Sequence, residues 1–302
     1  MRAGRARHSR GVALVTAMLV AALAAAVAAT LASSQSQWMR SVELRRAQVQ
    51  AQAIVLAGLD WSRQAILDDT RNAAAIDHRA EPWAMPLPPT PLEGGSVEGR
   101  IIDAQGLINL NNLAFGGDLA TAERGRLARL FAAQGITERS VDQLVARLAP
   151  PAPEAAAGTP SAAARAPNKG LTRSAEIVDV PGVGYEGFAR LAPSITALPT
   201  ATPLNVNTAS DEVLASALPG LGAEGLAALV ADRARKPYAS IADFRNRLPQ
   251  PLPGLEDHAL AVKSDYFIVT VRARQAETLA QGRALMRRRT GELPQVIWQT
   301  IE

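Results

Sequence analysis

Chemistry in a polypeptide needs a nucleophile, a tuned acid and base, a set of metal ligands or a cradle for an anion, and this sequence offers few of these. Histidine occurs at His8, His78 and His258, scattered and outside any H-E-x-x-H pattern. Each reads as solvated or locally capping. Cysteine is absent, which rules out thiol catalysis and a disulfide framework. G-x-S-x-G and Walker A patterns are also missing. Asp68 and Asp69 are adjacent in a helical stretch and so point to different sides, unlike a positioned acid and base. Arg287, Arg288 and Arg289 alternate along a strand onto two faces, so a solvated edge is expected in place of a nucleic-acid patch. No catalytic residue is expected.

A repeat does raise a ligand question. Pro181-Gly-Val-Gly-Tyr-Glu-Gly187 recurs as Pro219-Gly-Leu-Gly-Ala-Glu-Gly225, and each copy is G-x-G-x-x-G. A dinucleotide loop needs a preceding strand and an acid about 20 residues on. The second copy follows a helical stretch, Asp211 to Leu218, capped by Thr208. The first follows a strand-like E-I-V-D-V but has no acid near Asn207. Helix, P-G-x-G turn and helix fit a helix-hairpin-helix unit better. From Leu204 onward the stretch carries that pattern, with a trailing S-x-x-D-F cap at Ser240 to Phe244. Such hairpins can grip phosphate. Here Arg173, Arg190, Arg233, Arg235, Lys236, Arg245 and Arg247 face eight acids between Leu171 and Leu248. Glu186 and Glu224 follow the hairpins where phosphate would approach, so a structural or protein-contact role is expected, with no nucleic acid.

The elements that must position these features begin with an apolar run. Lysine and arginine total 32 against 28 acids, a net charge of +4. Arg2, Arg5, Arg7 and Arg10 precede Val12 with no acid among them, so the remainder is formally neutral. Val12 to Ala32 carries no charge and, as a helix, spans roughly 30 Å, one hydrocarbon core. The arginines keep the leading end cytoplasmic. A secretory signal cut near Ala24-Ala25-Ala26 is a competing reading. Against it, helical character continues: Ser33 to Leu67 holds no proline, and Trp38, Val42, Val49, Ala53, Leu56 and Leu67 fall within roughly 60° of one face. The two parts make a rod broken only before Pro82, embedded at one end and striped at the other for lateral packing.

Past Pro82 the stretch P-W-A-M-P-L-P-P-T-P-L-E-G-G reads as a loop or linker. Ser96 to Asn112 reads as strand, turn at Asp103 to Gly106, and second strand. Asp265 to Arg274, Glu277 to Arg289 and Gln295 to Ile301 read as an antiparallel meander. Between them lie about 150 mostly helical residues, including a low-complexity stretch, 149–169, expected to be a flexible loop.

A basic segment ending in glycine, a hydrophobic helix starting directly after it and a striped rod together resemble type IV pilin-like proteins. The ordered set R-G-V-A-L, Asp103 to Leu113 (D-A-Q-G-L-I-N-L-N-N-L), Pro203 to Ser210 (P-L-N-V-N-T-A-S) and Ser264 to Phe267 (S-D-Y-F) resembles the type II secretion system minor pseudopilin K family over nearly the whole chain. The resemblance implies an α+β fold: a long N-terminal helix packed on an antiparallel sheet, with an inserted helical domain of helix-hairpin-helix or SAM-like type. It divides the chain into a leader (1–11), a transmembrane helix (12–32), a periplasmic helix (33–81), a first sheet part (82–112), an insert (113–262, hairpin-like over 171–248) and a closing sheet part (263–302).

Prepilin peptidase would cut after Gly11 and leave Val12 as the methylated N-terminus in the inner membrane. Most pilin-like proteins carry glutamate at the fifth mature position, where it pairs with the terminal ammonium of the subunit ahead. Thr16 stands there in this chain and suits a subunit with none ahead, the tip. The implied partners are minor pseudopilins I and J and the major pseudopilin. Trp38, Val42, Val49, Ala53 and Leu56 would form the filament-packing face. The family binds calcium through an acidic run, but the corresponding stretch here holds only Asp142 and Glu154, too few carboxylates for a six- to eight-oxygen shell. No metal or other cofactor is expected, with calcium on backbone carbonyls left open. The rival function is a membrane-anchored periplasmic DNA-binding protein of the competence type.

Overall fold

The computed structural model describes residues 5–71, 75–148, 170–252 and 254–302, with side chains from Val12 onward. The stretch 149–169, including Glu154, lies outside them. Helix α1 (Arg5–Arg71) is a single rod of 67 residues. It is rich in alanine and holds no proline and only two glycines, Gly11 and Gly58, so nothing in its interior breaks the hydrogen-bond ladder. It ends about ten residues before Pro82. The chain then turns through Asp77, whose N–H donates to the carbonyl of Val262 at 2.8 Å.

Strands β1 (Leu87–Leu92) and β2 (Gly95–Asp103) follow. The proline-rich stretch is therefore no linker: it pairs antiparallel with β2, with an irregularity between Leu87 and Thr90. Pro88, Pro89 and Pro91 lack an N–H, which is tolerated because β1 lies at the sheet edge. The chain then leaves the sheet through β3 (Ile108–Asn109), α2 (Asn112–Phe115), α3 (Gly117–Ala133), α4 (Glu138–Leu148), α5 (Gly184–Leu191), β4 (Ile195–Thr196), β5 (Leu204–Asn205), α6 (Asp211–Ala217), α7 (Ala223–Arg235), α8 (Ile241–Asn246) and β6 (Leu260–Ala261). It returns as β7 (Tyr266–Gln275), β8 (Thr278–Arg289) and β9 (Glu292–Ile301), giving an antiparallel sheet of order β1-β2-β7-β8-β9. The expected second strand after Asp103 shrinks to β3, which pairs with β4 and shares the helical unit's core. The sheet part thus hands over at Asp103, earlier than Asn112, because Ile108 and Leu110 bury their side chains among the helices.

One sheet face lies on α1. Ala51, Val55, Leu59 and Ile66 are buried against Ile101, Phe267, Val269, Val271, Ala284 and Met286. Two glycines let helix and sheet approach. A Cβ at Gly282 would lie 2.2 Å from Val55 Cγ1, and one at Gly58 would lie 2.7 Å from Val271 Cγ1. Gly282→Ala is therefore expected to cost about 1–3 kcal/mol by overpacking, measured as a lower urea midpoint for the full chain in nonionic detergent.

Candidate functional site

The three polar motifs of the sequence, distant along the chain, meet at one point beneath the helical unit. Asp103 ends β2 and is almost fully buried. Its Oδ1 accepts from the N–H of Gln105 at 2.7 Å. Its Oδ2 accepts from Asn205 Nδ2 at 2.8 Å, Thr208 Oγ1 at 2.5 Å and Ser264 Oγ at 2.6 Å. Thr208 is thus committed to the clasp. The cap of α6 is Ser210, whose Oγ accepts from the N–H of Val213 at 3.2 Å. Gly106 has no room for a Cβ, which would meet Thr208 Oγ1 at 2.7 Å. Burial pushes the Asp103 carboxyl up to about 6, against the pull of its donors.

The asparagines do the work of missing ladder partners. Asn207 bonds both backbone groups of Tyr238, at 2.9 and 2.8 Å. Asn112 does the same to Thr202, at 2.9 and 3.0 Å. Asn111 reaches the backbone of Leu171 and Leu198. Each amide satisfies a loop backbone that no strand satisfies, which is why buried loops are tolerated here.

Beside this clasp lies an ion cluster that the sequence reading missed. Arg288 is buried, not solvated. Its Nη2 is 2.7 Å from both Asp69 Oδ2 and Asp77 Oδ1, and its Nη1 donates to Asp77 Oδ2 at 2.9 Å and to the Ser264 carbonyl at 3.0 Å. Parity was the available signal: Arg288 is in phase with Ala284 and Met286, which face α1. Asp69 and Glu81 are both raised by burial, Glu81 to about 7, with Glu81 accepting from His78 N and Trp83 Nε1. Asp69, Asp77 and Glu81 bring ligand oxygens within 4.8 Å of one another. Arg288 places one positive charge between Asp69 and Asp77 in this group. In the stretch corresponding to the family's calcium run, Asp142 is held by Arg124 at 2.6 Å.

The other sequence-predicted residues lie on α1, far from this clasp. Gly11 and Val12 fall within the helix. Thr16 Oγ1 donates to the carbonyls of Val12 and Ala13 at 3.1 and 3.0 Å, so the hydroxyl is satisfied inside its own helix. Trp38, Val42, Val49 and Leu56 are 70%, 46%, 65% and 43% exposed, and Ala53 is exposed beside them. Leu67 departs from this stripe and is buried. The hairpins are engaged by protein: the Pro181 carbonyl accepts from Ser140 Oγ at 2.8 Å, and Gly182 at φ +86° leaves a Cβ no space beside Ser140. The strand-like segment before the first hairpin is a short 3-10 helix, Ser174–Asp179, so the dinucleotide reading has no strand at either copy.

A long, partly apolar helix on an antiparallel sheet, interrupted by a helical unit, defines a type IV pilin-like subunit of the α+β class. Models of the family described as type II secretion system (T2SS), protein K match residues 106–200 and 204–263. Type II secretion system protein K of Pseudomonas aeruginosa is 31% identical over 284 residues, covering 87% of this chain and 84% of that protein. The Pectobacterium carotovorum protein is 27% identical, with 92% of each covered. A chain in the crystal structure of the GspK-GspI-GspJ complex from enterotoxigenic Escherichia coli has the same fold, with a TM-score of 0.68, 21% identity, and 87% of this chain and 99% of that one covered. The chain belongs to the type II secretion system protein K family. Its role is that of a minor pseudopilin, and the DNA-binding alternative is not supported.

Replacing one partner of a buried pair leaves the other charged and unpaired. Arg288→Met is expected to destabilise the full chain by about 3–5 kcal/mol, measured by denaturant unfolding, whereas Arg289→Met at the exposed neighbouring position leaves the midpoint unchanged.

Proposed function

We propose that α1 anchors this pseudopilin once through the inner membrane with its bulk in the periplasm, and that it occupies the tip of a pseudopilus that exports folded proteins across the outer membrane. Counterparts of minor pseudopilins I and J pack beside it, and the major pseudopilin is added beneath. The work is mechanical and uses no active site. The observation that carries this reading is the divided α1: one side is spent on the sheet, while a second stripe from Trp38 to Leu56 stays exposed. Apolar area of that kind on a rod is a lateral contact surface. The helical unit hangs from the membrane-distal end, where Arg288 ties Asp69 near the end of α1 to the Ser264 segment. Nothing of similar shape could be laid beyond it. A relative crystallised with GspI and GspJ supports the choice of neighbours.

On this reading prepilin peptidase cleaves after Gly11, and mass spectrometry of the mature protein finds a methylated Val12 as its first residue. A mature chain starting beyond Ala26 would overturn the filament reading. The fold also needs no calcium: chelation with EDTA is expected to leave the thermal midpoint of the purified chain unchanged, and a drop would show that a calcium site exists.

A further inference from the structure

Three carboxyl groups and one guanidinium meet where α1 ends, and their charges do not balance. Asp69 on α1, Asp77 in the turn beyond it and Glu81 just before Trp83 hold oxygens within 4.8 Å of one another. Asp77 is fully buried, and the Asp69 side chain and Glu81 are 9% and 8% exposed. Arg288 is committed to two of the three: both oxygens of Asp77 and one of Asp69 accept from its Nη1 and Nη2 at 2.7 to 2.9 Å. Glu81 Oε2 accepts instead from neutral donors, the N–H of His78 at 2.7 Å and the indole Nε1 of Trp83 at 2.9 Å. Fully ionised, the group would keep three negative charges out of water against one positive charge, which is costly.

The geometry shows how this cost is avoided. The carboxyl groups of Asp69 and Glu81 are hydrogen-bonded to each other. Two carboxylates have no donor between them, so such a bond needs one proton. Burial pushes both acids up, Glu81 to about 7, while Arg288 pulls Asp69 back down. Glu81 is therefore the donor and Asp69 the acceptor. The other charges nearby leave this arrangement in place. Lys263, before β7, acts on Asp69. Burial holds His78 below its ordinary value against the pull of Asp77 and Asp69, and its Nδ1 accepts from the N–H of Ala80 at 3.2 Å. Arg79 turns away to the Thr208 carbonyl, and Asp68 pairs with Arg71 on the exposed side of α1.

We propose that Asp69 and Glu81 share one proton that fastens the turn after α1 to the rod, and that its loss sets two carboxylates against each other and loosens the joint from which the helical unit hangs. Asp77 and Arg288 form the permanent half of that joint, and the shared proton forms the half that responds to pH. The inference does not depend on the filament reading, because the stripe on α1 plays no part in it.

The test uses the full chain in nonionic detergent with EDTA present, and compares wild type with Glu81→Gln between pH 5 and pH 8. Glutamine reproduces the protonated acid, since its carbonyl can accept from His78 and Trp83 while its amide donates to Asp69. A carboxyl group raised in the fold contributes stability that is complete below its ordinary value and is lost as pH rises through its folded value. For Glu81 that window runs from 4.5 to about 7. The two thermal midpoints should lie closest at pH 5 and draw apart by about 3 °C or more at pH 8, with glutamine the higher. Taking the difference at each pH removes what His78 and Asp103 contribute to both chains. With 15N labelling, the Trp83 indole N–H signal, assigned by its loss in Trp83→Phe, should titrate with a midpoint of about 7 in wild type and stay fixed in Glu81→Gln. A midpoint difference that is constant from pH 5 to pH 8 overturns the proposal, because glutamine would then differ from glutamate in packing alone. So does an indole signal that behaves alike in both chains. A pH 8 midpoint that added magnesium or calcium raises in wild type but not in Glu81→Gln would make the group a metal site and overturn it as well.

Discussion

The structure depends on satisfying polar groups that have been taken out of water. Asp103, Asn205, Ser264 and Asp77 are all buried where sheet, helical unit and the end of α1 converge. An unpaired group in that position costs about 1–3 kcal/mol, and a charge costs more. The network therefore holds as a whole or fails as a whole, and its members cannot be exchanged singly. This turns a joint between two cores, one under α1 and one among the helices, into a defined attachment. A purely apolar joint would have tolerated sliding. Directional bonds to Asp103 from four donors do not.

The second organising fact is the division of α1. Its apolar N-terminal run from Val12 is exposed and long enough to cross a bilayer. Beyond it, Ala51, Val55, Leu59 and Ile66 meet the sheet, while Trp38, Val42, Val49 and Leu56 do not. A helix carrying two apolar stripes around one polar remainder serves two masters: the sheet stabilises the subunit, and the other stripe is left for neighbours. The glycines at 58 and 282 tighten the first contact, so the second can stay open without loosening the fold.

Several local readings gave way to tertiary demands, each for a physical reason. The proline-rich stretch forms an edge strand because only one of its sides must supply hydrogen bonds. Thr208 gives up a capping role because Asp103 needs its hydroxyl more than α6 does, and Ser210 stands ready to cap. Arg288 leaves the solvent because Asp69 near the end of α1 and Asp77 in the turn beyond it would otherwise be buried uncompensated. The motifs that resembled a known family were visible as strings. Their convergence on one carboxylate was not, since Asp103, Asn205 and Ser264 are brought together by chain crossings that no local pattern encodes.

Sequence alone determined what local periodicity and composition can specify: the uncharged run, the unbroken rod, the exposed stripe on it and the closing meander. These depend on neighbours within a turn or a strand, so they survive without knowledge of the rest. Tertiary structure decided which polar residues are buried, which stripe of α1 faces the sheet, and which arginine is an internal counter-ion. Those outcomes depend on burial, and burial is a property of the assembled chain: a side chain becomes costly or useful only once distant segments have closed over it.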